Sequence, residues 1–218
     1  MSVKIGLKRA KELDYYWDVE KPILEYEKEP FNKGEIVFYG PSNFTRWGSK
    51  KFGIDIPLRE AIVGKSGKPC MINRGFGSSC AEQHLYYYPR VIRPLEPKVL
   101  VYSNWGNLGE YTPEETWEIG QRVVAYALTD FPDIHIYLQS ACAKKSMTEE
   151  EIKVMEEYNS WLREFAENTP NCFYVDAFNH EPLRNPEVFA DPVHYNNEGY
   201  ALYADFYREV LKDELERF

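Results

Sequence analysis

A chain of 218 residues is the size of one α/β domain and buries about 70% of its unfolded surface, so it needs no staples. Apolar residues make up 44%, as in ordinary soluble proteins, and the 17 tyrosines suit core edges and binding clefts. The formal charge of −9 argues against a nucleic-acid surface, which needs clustered Lys and Arg, and against an anionic membrane.

At the start, Lys4, Lys8, Arg9 and Lys11 are followed by no apolar run. That argues against a signal peptide or a membrane span and places the protein in the cytoplasm. Residues 3–19 read as a charged helix ending in Tyr15, Tyr16 and Trp17. It is an appendage packed on the domain or on a second subunit, with a polar, loosely held tail as the alternative. Lys21-Pro22 begins an extended connection, so residues 1–33 stand apart from a domain at 34–218.

Ile36, Val37, Phe38 and Tyr39 form an apolar, β-branched and aromatic run that predicts a buried strand. Gly40-Pro41 breaks it, and Ser42 stands at the carboxyl end of the strand, where open α/β sheets place their ligands. If a helical turn starts there, its free amides point at whatever the serine touches. The other reading of Ser42 is a simple cap of that turn.

Residues 55–63 read as a short helix or turn, and 69–73 as a second strand. Arg74-Gly-Phe-Gly-Ser-Ser79 is a tight glycine-bearing loop, whose Gly75 and Gly77 answer to positive φ in a turn. Ser79 and Glu82 fit a capping box, predicting a helix from Cys80 to Tyr88 that Pro89 stops. Residues 98–103 are a third strand, followed by a loop at 104–109. Thr112, Pro113 and Glu115 open a longer helix that runs to Pro132. Residues 134–139 are a fourth strand, and Thr148 and Glu151 open a helix with Ile152, Met155, Leu162 and Phe165 on one face. Residues 172–175 make a fifth strand. After a long loop, Leu202, Phe206, Val210 and Leu211 face inward on a final helix.

Strands alternating with helices predict one α/β domain with a parallel sheet covered on both faces. Cys70, Cys80, Cys142 and Cys172 are widely spaced without a C-x-x-C pair, so zinc is disfavoured and reduced, partly buried thiols are expected.

The loop before the last helix reads Asp191-Pro-Val-His194. His194 could take a proton from a hydroxyl, with Asp191 holding the imidazole in the right tautomer. A serine hydroxyl is a poor nucleophile and needs such a base within about 3 Å. Alone, Asp-x-x-His also describes a turn carboxylate beside a surface histidine. His84, His135 and His180 read as structural, and Asp176 as a turn residue. Tyr86, Tyr87 and Tyr88 point in three directions on a helix, so they cannot line one wall.

Together, the strand–Gly-x-Ser turn, the Asn73-x-Gly75-x-Gly77 stretch and Asp-x-x-His before the last helix resemble the SGNH, or GDSL-like, hydrolase family over residues 34–217. The resemblance implies a flavodoxin-like three-layer α/β/α sandwich with a five-stranded parallel sheet. It also implies hydrolysis of esters through a serine acyl-enzyme, without metal or cofactor. Ser42 then stands as nucleophile, His194 as general base and Asp191 as its orienting partner. The oxyanion hole would use the amide of Ser42, an amide at Ser78, where the family prefers Gly, or at Gly77, and a side-chain amide from the third motif.

That third motif departs from the family's Gly-x-Asn-Asp, because Asn104-Trp105-Gly106-Asn107 places Gly106 in the asparagine slot. Asn107 or Asn104 could reach the site from a rearranged loop. Pro41 replaces the usual acidic residue before the serine. Asn43, Trp47 and Trp105 are candidate substrate contacts, with the two rings able to stack on a sugar, cover an acyl chain or simply pack.

The expected function is a serine esterase or acylhydrolase acting on a small-molecule ester of a short acyl group, acetyl groups on a carbohydrate included. One rival is a binding module that kept the fold but lost turnover. Another is a thioesterase or lysophospholipase, which would need a long apolar groove beside Ser42. Whether the chain forms a homo-oligomer stays open.

Overall fold

The computed structural model describes residues 13–108 and 111–218. Residues 3–12 of the predicted N-terminal helix, and Gly109 of the loop after the third strand, lie outside the described residues.

Ile36, Val37, Phe38 and Tyr39 are all fully buried in β1 (Ile36–Gly40). Side chains alternate across a strand, so Ile36 and Phe38 enter one core while Val37 and Tyr39 enter the other. A strand buried on both faces belongs in a parallel sheet with helices on each side. β2 (Met71–Gly75), β3 (Val99–Tyr102), β4 (His135–Gln139) and β5 (Cys172–Val175) complete that sheet in the order β2-β1-β3-β4-β5, all parallel.

Helices α4 (Ala81–Val91), α5 (Pro113–Asp130) and α6 (Glu149–Asn168) cover one face through Tyr88, Val123, Met155 and their neighbours. The other face holds the single turns α2 (Ser42–Thr45) and α3 (Leu58–Ala61), then α7 (Asn197–Val210) and the short α8 (Lys212–Leu215). The architecture is the expected α/β/α sandwich. Chain order reverses at β1, and the loops after β1 and β3 flank the crevice that such a reversal opens.

Several elements differ from expectation. Residues 21–26 are helical, since α1 runs Leu13–Tyr26 with Pro22 inside it. Ile23 is fully buried, and Glu20 accepts hydrogen bonds from Tyr87 Oη (2.7 Å) and Arg90 Nη1 (2.6 Å). These contacts offset the single hydrogen bond that proline removes. Pro89 likewise sits inside α4, where Tyr88 and Val91 are buried on the sheet.

The cap of α4 is Cys80 with Gln83, one residue later than the predicted Ser79–Glu82 box. Ser79 Oγ instead donates to the Phe76 carbonyl at 2.6 Å and meets His84 Nε2 at 2.9 Å. The Thr112–Glu115 and Thr148–Glu151 boxes form as read. On α7 the buried stripe is Tyr200, Tyr203, Ala204, Tyr207 and then Leu211, while Leu202, Phe206 and Val210 lie at its margin. Neither Gly75 nor Gly77 has positive φ; a Cβ on Gly75 would lie 2.5 Å from Phe44 Cβ, so its smallness lets α2 close over β2.

All four cysteines are free and buried, and among the described residues no helix is long and apolar enough to cross a membrane.

Candidate active site

Gly40 ends β1, and Pro41, in an extended conformation, precedes the first residue of α2. Ser42 therefore opens the turn without serving as its cap. Its Oγ lies 2.8 Å from His194 Nε2, across 152 residues of chain.

The 191–194 segment folds on its own carboxylate. Asp191 Oδ1 accepts the backbone N–H groups of Val193 and His194 at 3.0 Å each, and His194 Nδ1 lies 2.8 Å from Oδ1 and 2.9 Å from Oδ2. The turn and the carboxylate–imidazole contact of Asp-x-x-His thus occur together. Only 11% of the His194 side chain is exposed, so it is no surface histidine. With Nδ1–H given to Asp191, the Nε2 lone pair faces the Ser42 hydroxyl, the arrangement that general-base activation requires.

Arg46, one helical turn after Ser42, donates from Nη1 to Asp191 Oδ2 at 2.7 Å. Burial would raise the Asp191 pKa, but the Val193 amide, His194 and Arg46 together hold it well below the usual carboxylate range. For His194 burial dominates and lowers the pKa; Asp191 pulls upward and Arg46 pushes further down. The imidazole rests neutral.

Ser42 and His194 border an open cavity of about 540 Å³, which also includes Pro41, Arg46, Lys51, Phe52, Gly77, Ser78, Gly106, Asn107 and Val193 in its wall. The Gly77–Ser78 loop lies against the serine, since a Cβ on Gly77 would stand 4.0 Å from Ser42 Cβ. Ser78 adopts φ +59°, a conformation glycine reaches freely and serine at a cost. Asn107 Nδ2 donates to the Ser78 carbonyl at 3.0 Å, tying the loop after β3 to the loop after β2.

The other asparagine candidate is elsewhere. Asn104 is 2% exposed, donates to the Thr116 carbonyl at 2.9 Å and accepts from Tyr158 Oη, so its amide is committed to the core beneath α5 and α6. Trp47 is 4% exposed and stacks on Tyr203 with centroids 5.0 Å apart, which makes it a core ring. Trp105 packs on Tyr158 at 4.5 Å, beside Leu108 and Met155 and outside the cavity wall. The Asn43 side chain bonds the Cys142 thiol and its carbonyl accepts from Tyr200 Oη at 2.8 Å. These four residues position the fold around the site and do not face it.

Gly106 has a local reason. A Cβ at that position would lie 2.7 Å from Pro41 Cβ and 2.8 Å from its Cγ. Pro41 and Gly106, two of the three departures from the pattern of the family this chain resembles, are in contact, and an asparagine at 106 would need the space the proline ring fills. By urea denaturation, Gly106→Ala is expected to cost about 1–3 kcal/mol. Its cost should shrink clearly in a Pro41→Gly background, because neighbours in contact are not additive.

The remaining candidates are structural. His84 is fully buried and pushed down to about 3 by burial. His135 lies 2.5 Å from Glu214, His180 packs on Phe206, and Asp176 accepts the Asn179 backbone N–H in a turn. Sequence reasoning missed Arg46 and Tyr200. Arg46 was findable, because residues four apart share a helix face.

No family model and no curated protein matches this chain. Solved structures do. A GDSL-like lipase of Bacteroides thetaiotaomicron superposes with TM-score 0.64 at 16% identity, over 95% of this chain and 100% of its own. An acetyl xylan esterase gives 0.64 at 18%, over 81% and 98%. The C-terminal catalytic domain of a Streptococcus pneumoniae peptidoglycan O-acetyltransferase gives 0.58 at 21%, over 84% and 95%. The fold is therefore that of the SGNH/GDSL-like hydrolases, as the motifs implied.

Proposed function

We propose that this chain is a serine esterase that hydrolyses short acyl esters, acetyl groups on carbohydrates among them. The observation that carries the reading is the unbroken chain Ser42 Oγ, His194 Nε2, His194 Nδ1 and Asp191, with contacts of 2.8–2.9 Å. His194 takes the Ser42 proton as Oγ attacks the ester carbonyl, then returns it to the leaving alcohol. Water, activated by the same imidazole, releases the acid.

The oxyanion is assigned to the amide of Ser42, which at the first position of a helical turn has no intrahelical acceptor, and to the Gly77–Ser78 loop. Asn107 supports that loop through the Ser78 carbonyl. Short acyl groups suit the polar character of a wall that carries Arg46, Lys51, Asn107 and Ser78. The acetyl xylan esterase likeness agrees with acetyl esters.

A fluorophosphonate probe should label Ser42, and hydrolysis of p-nitrophenyl esters should fall with chain length. Activity rising beyond about eight carbons would favour the thioesterase or lysophospholipase reading instead. No labelling of demonstrably folded protein would leave a binding module.

A pH profile adds a second check. A general base works when neutral, and the folded His194 pKa is depressed. Activity should therefore be lost only as pH falls through a midpoint below the ordinary imidazole value of about 6.5. A midpoint at or above that value would contradict the assignment.

A further inference from the structure

Arg46, like Lys51, is a cationic side chain of the cavity that ester hydrolysis by a Ser-His-Asp relay does not use, and Arg46 is the one that touches the relay. Its guanidinium reaches Asp191 Oδ2 at 2.7 Å and lies 4.1 Å from the Phe52 ring centroid, which shields its other face. Only 20% of the side chain is exposed.

A carboxylate offers about four lone-pair directions. On Asp191 they meet two backbone N–H groups, the His194 Nδ1–H and Arg46 Nη1. The carboxylate cannot turn without breaking one of them. We propose that Arg46 is a positioning residue of the relay: it locks Asp191 against His194 and keeps a permanent positive charge beside the imidazole that must accept the Ser42 proton. This rests on the triad reading above and deepens it.

The consequence is a base that stays available in mild acid. A guanidinium is charged at every working pH, so it always opposes a second positive charge nearby. The other groups around His194 leave that effect visible. Tyr200 on α7 is raised above its ordinary value by burial, as is the Cys142 thiol after β4. His84, on α4 behind Ser79, remains neutral. Lys51, in the 50–52 turn, lines the same cavity. Over pH 4–8, the acid limb of Ser42 reactivity thus follows His194 with its two contact charges, Asp191 and Arg46.

The test is the rate of fluorophosphonate labelling of Ser42 against pH, in the natural chain and in Arg46→Met and Arg46→Lys. Methionine keeps the apolar packing on Phe52 and removes the charge; lysine restores the charge. For Arg46→Met the acid limb should move up by about 1 in pH, the size expected of one partly screened charge at close range. Well below both midpoints, labelling then falls about tenfold more than labelling at the plateau. Arg46→Lys should return the limb toward its natural place.

A limb that stays put in Arg46→Met, even with a lowered plateau, overturns the proposal and leaves Arg46 as packing. Should Arg46→Met fail to fold by circular dichroism, Arg46→Gln carries the same prediction. The imidazole titration of His194, followed by NMR in Ser42→Ala with and without Arg46→Gln, measures the same shift without turnover. Absence of labelling in the natural chain would overturn the triad reading itself, and this proposal with it.

Discussion

Ser42→Ala is expected to lower ester hydrolysis by about 10⁶ in kcat, down to what binding and oxyanion contacts alone supply. The size follows from the chemistry. Without Oγ there is no acyl-enzyme, and His194 is left only water to activate. Structure should be spared, because Ser42 does not cap its turn and its hydroxyl is directed at His194. Circular dichroism melting should match the natural chain. A variant with intact melting and more than about a hundredth of the natural kcat would place the nucleophile elsewhere.

Asp191→Asn is the second large effect, a loss of about 10⁴ in kcat. An asparagine can present an N–H to His194 Nδ1 and so favour the tautomer that puts a hydrogen on Nε2, facing the serine hydroxyl it should accept from. Arg46 sharpens the expectation. With the carboxylate gone, its charge still opposes the imidazolium while the compensating anion is lost. The residual activity should keep an acid limb at or below the natural one, opposite in sign to the shift expected for Arg46→Met. Measuring kcat against pH for both variants separates a loss of relay from a loss of fold. An upward shift in Asp191→Asn would break the electrostatic picture.

Much of this was legible in the sequence because local chemistry and tertiary demand agreed. Thr112 and Thr148 cap helices by the same box whatever packs on them, and Ile36–Tyr39 can only be a doubly buried strand. The Asp191-x-x-His194 pair was readable because one turn builds both its hydrogen bonds and its geometry.

What failed was decided at a distance. Pro22 and Pro89 stand inside helices because burial of Ile23, Tyr88 and Val91 outweighs a missing hydrogen bond. Asn104 resembled a donor for the site until Thr116 and Tyr158 claimed both ends of its amide. Gly106 looked like a defect in a motif, and its meaning lay in Pro41, 65 positions earlier and touching it. Trp47 sat five residues from Ser42, yet Tyr203 draws it into the core.

The proposed nucleophile, Ser42, belongs to the first strand's exit, and its proposed base, His194, to the loop that precedes α7, 152 positions later. During synthesis, a ribosome delivers the serine long before its partner, and that hydroxyl is as inert as any other until α7 docks through Tyr200 onto the Asn43 carbonyl. Reactivity is therefore among the last properties a nascent molecule acquires. On the proposed reading, the growing chain carries no working site until its last long helix is in place.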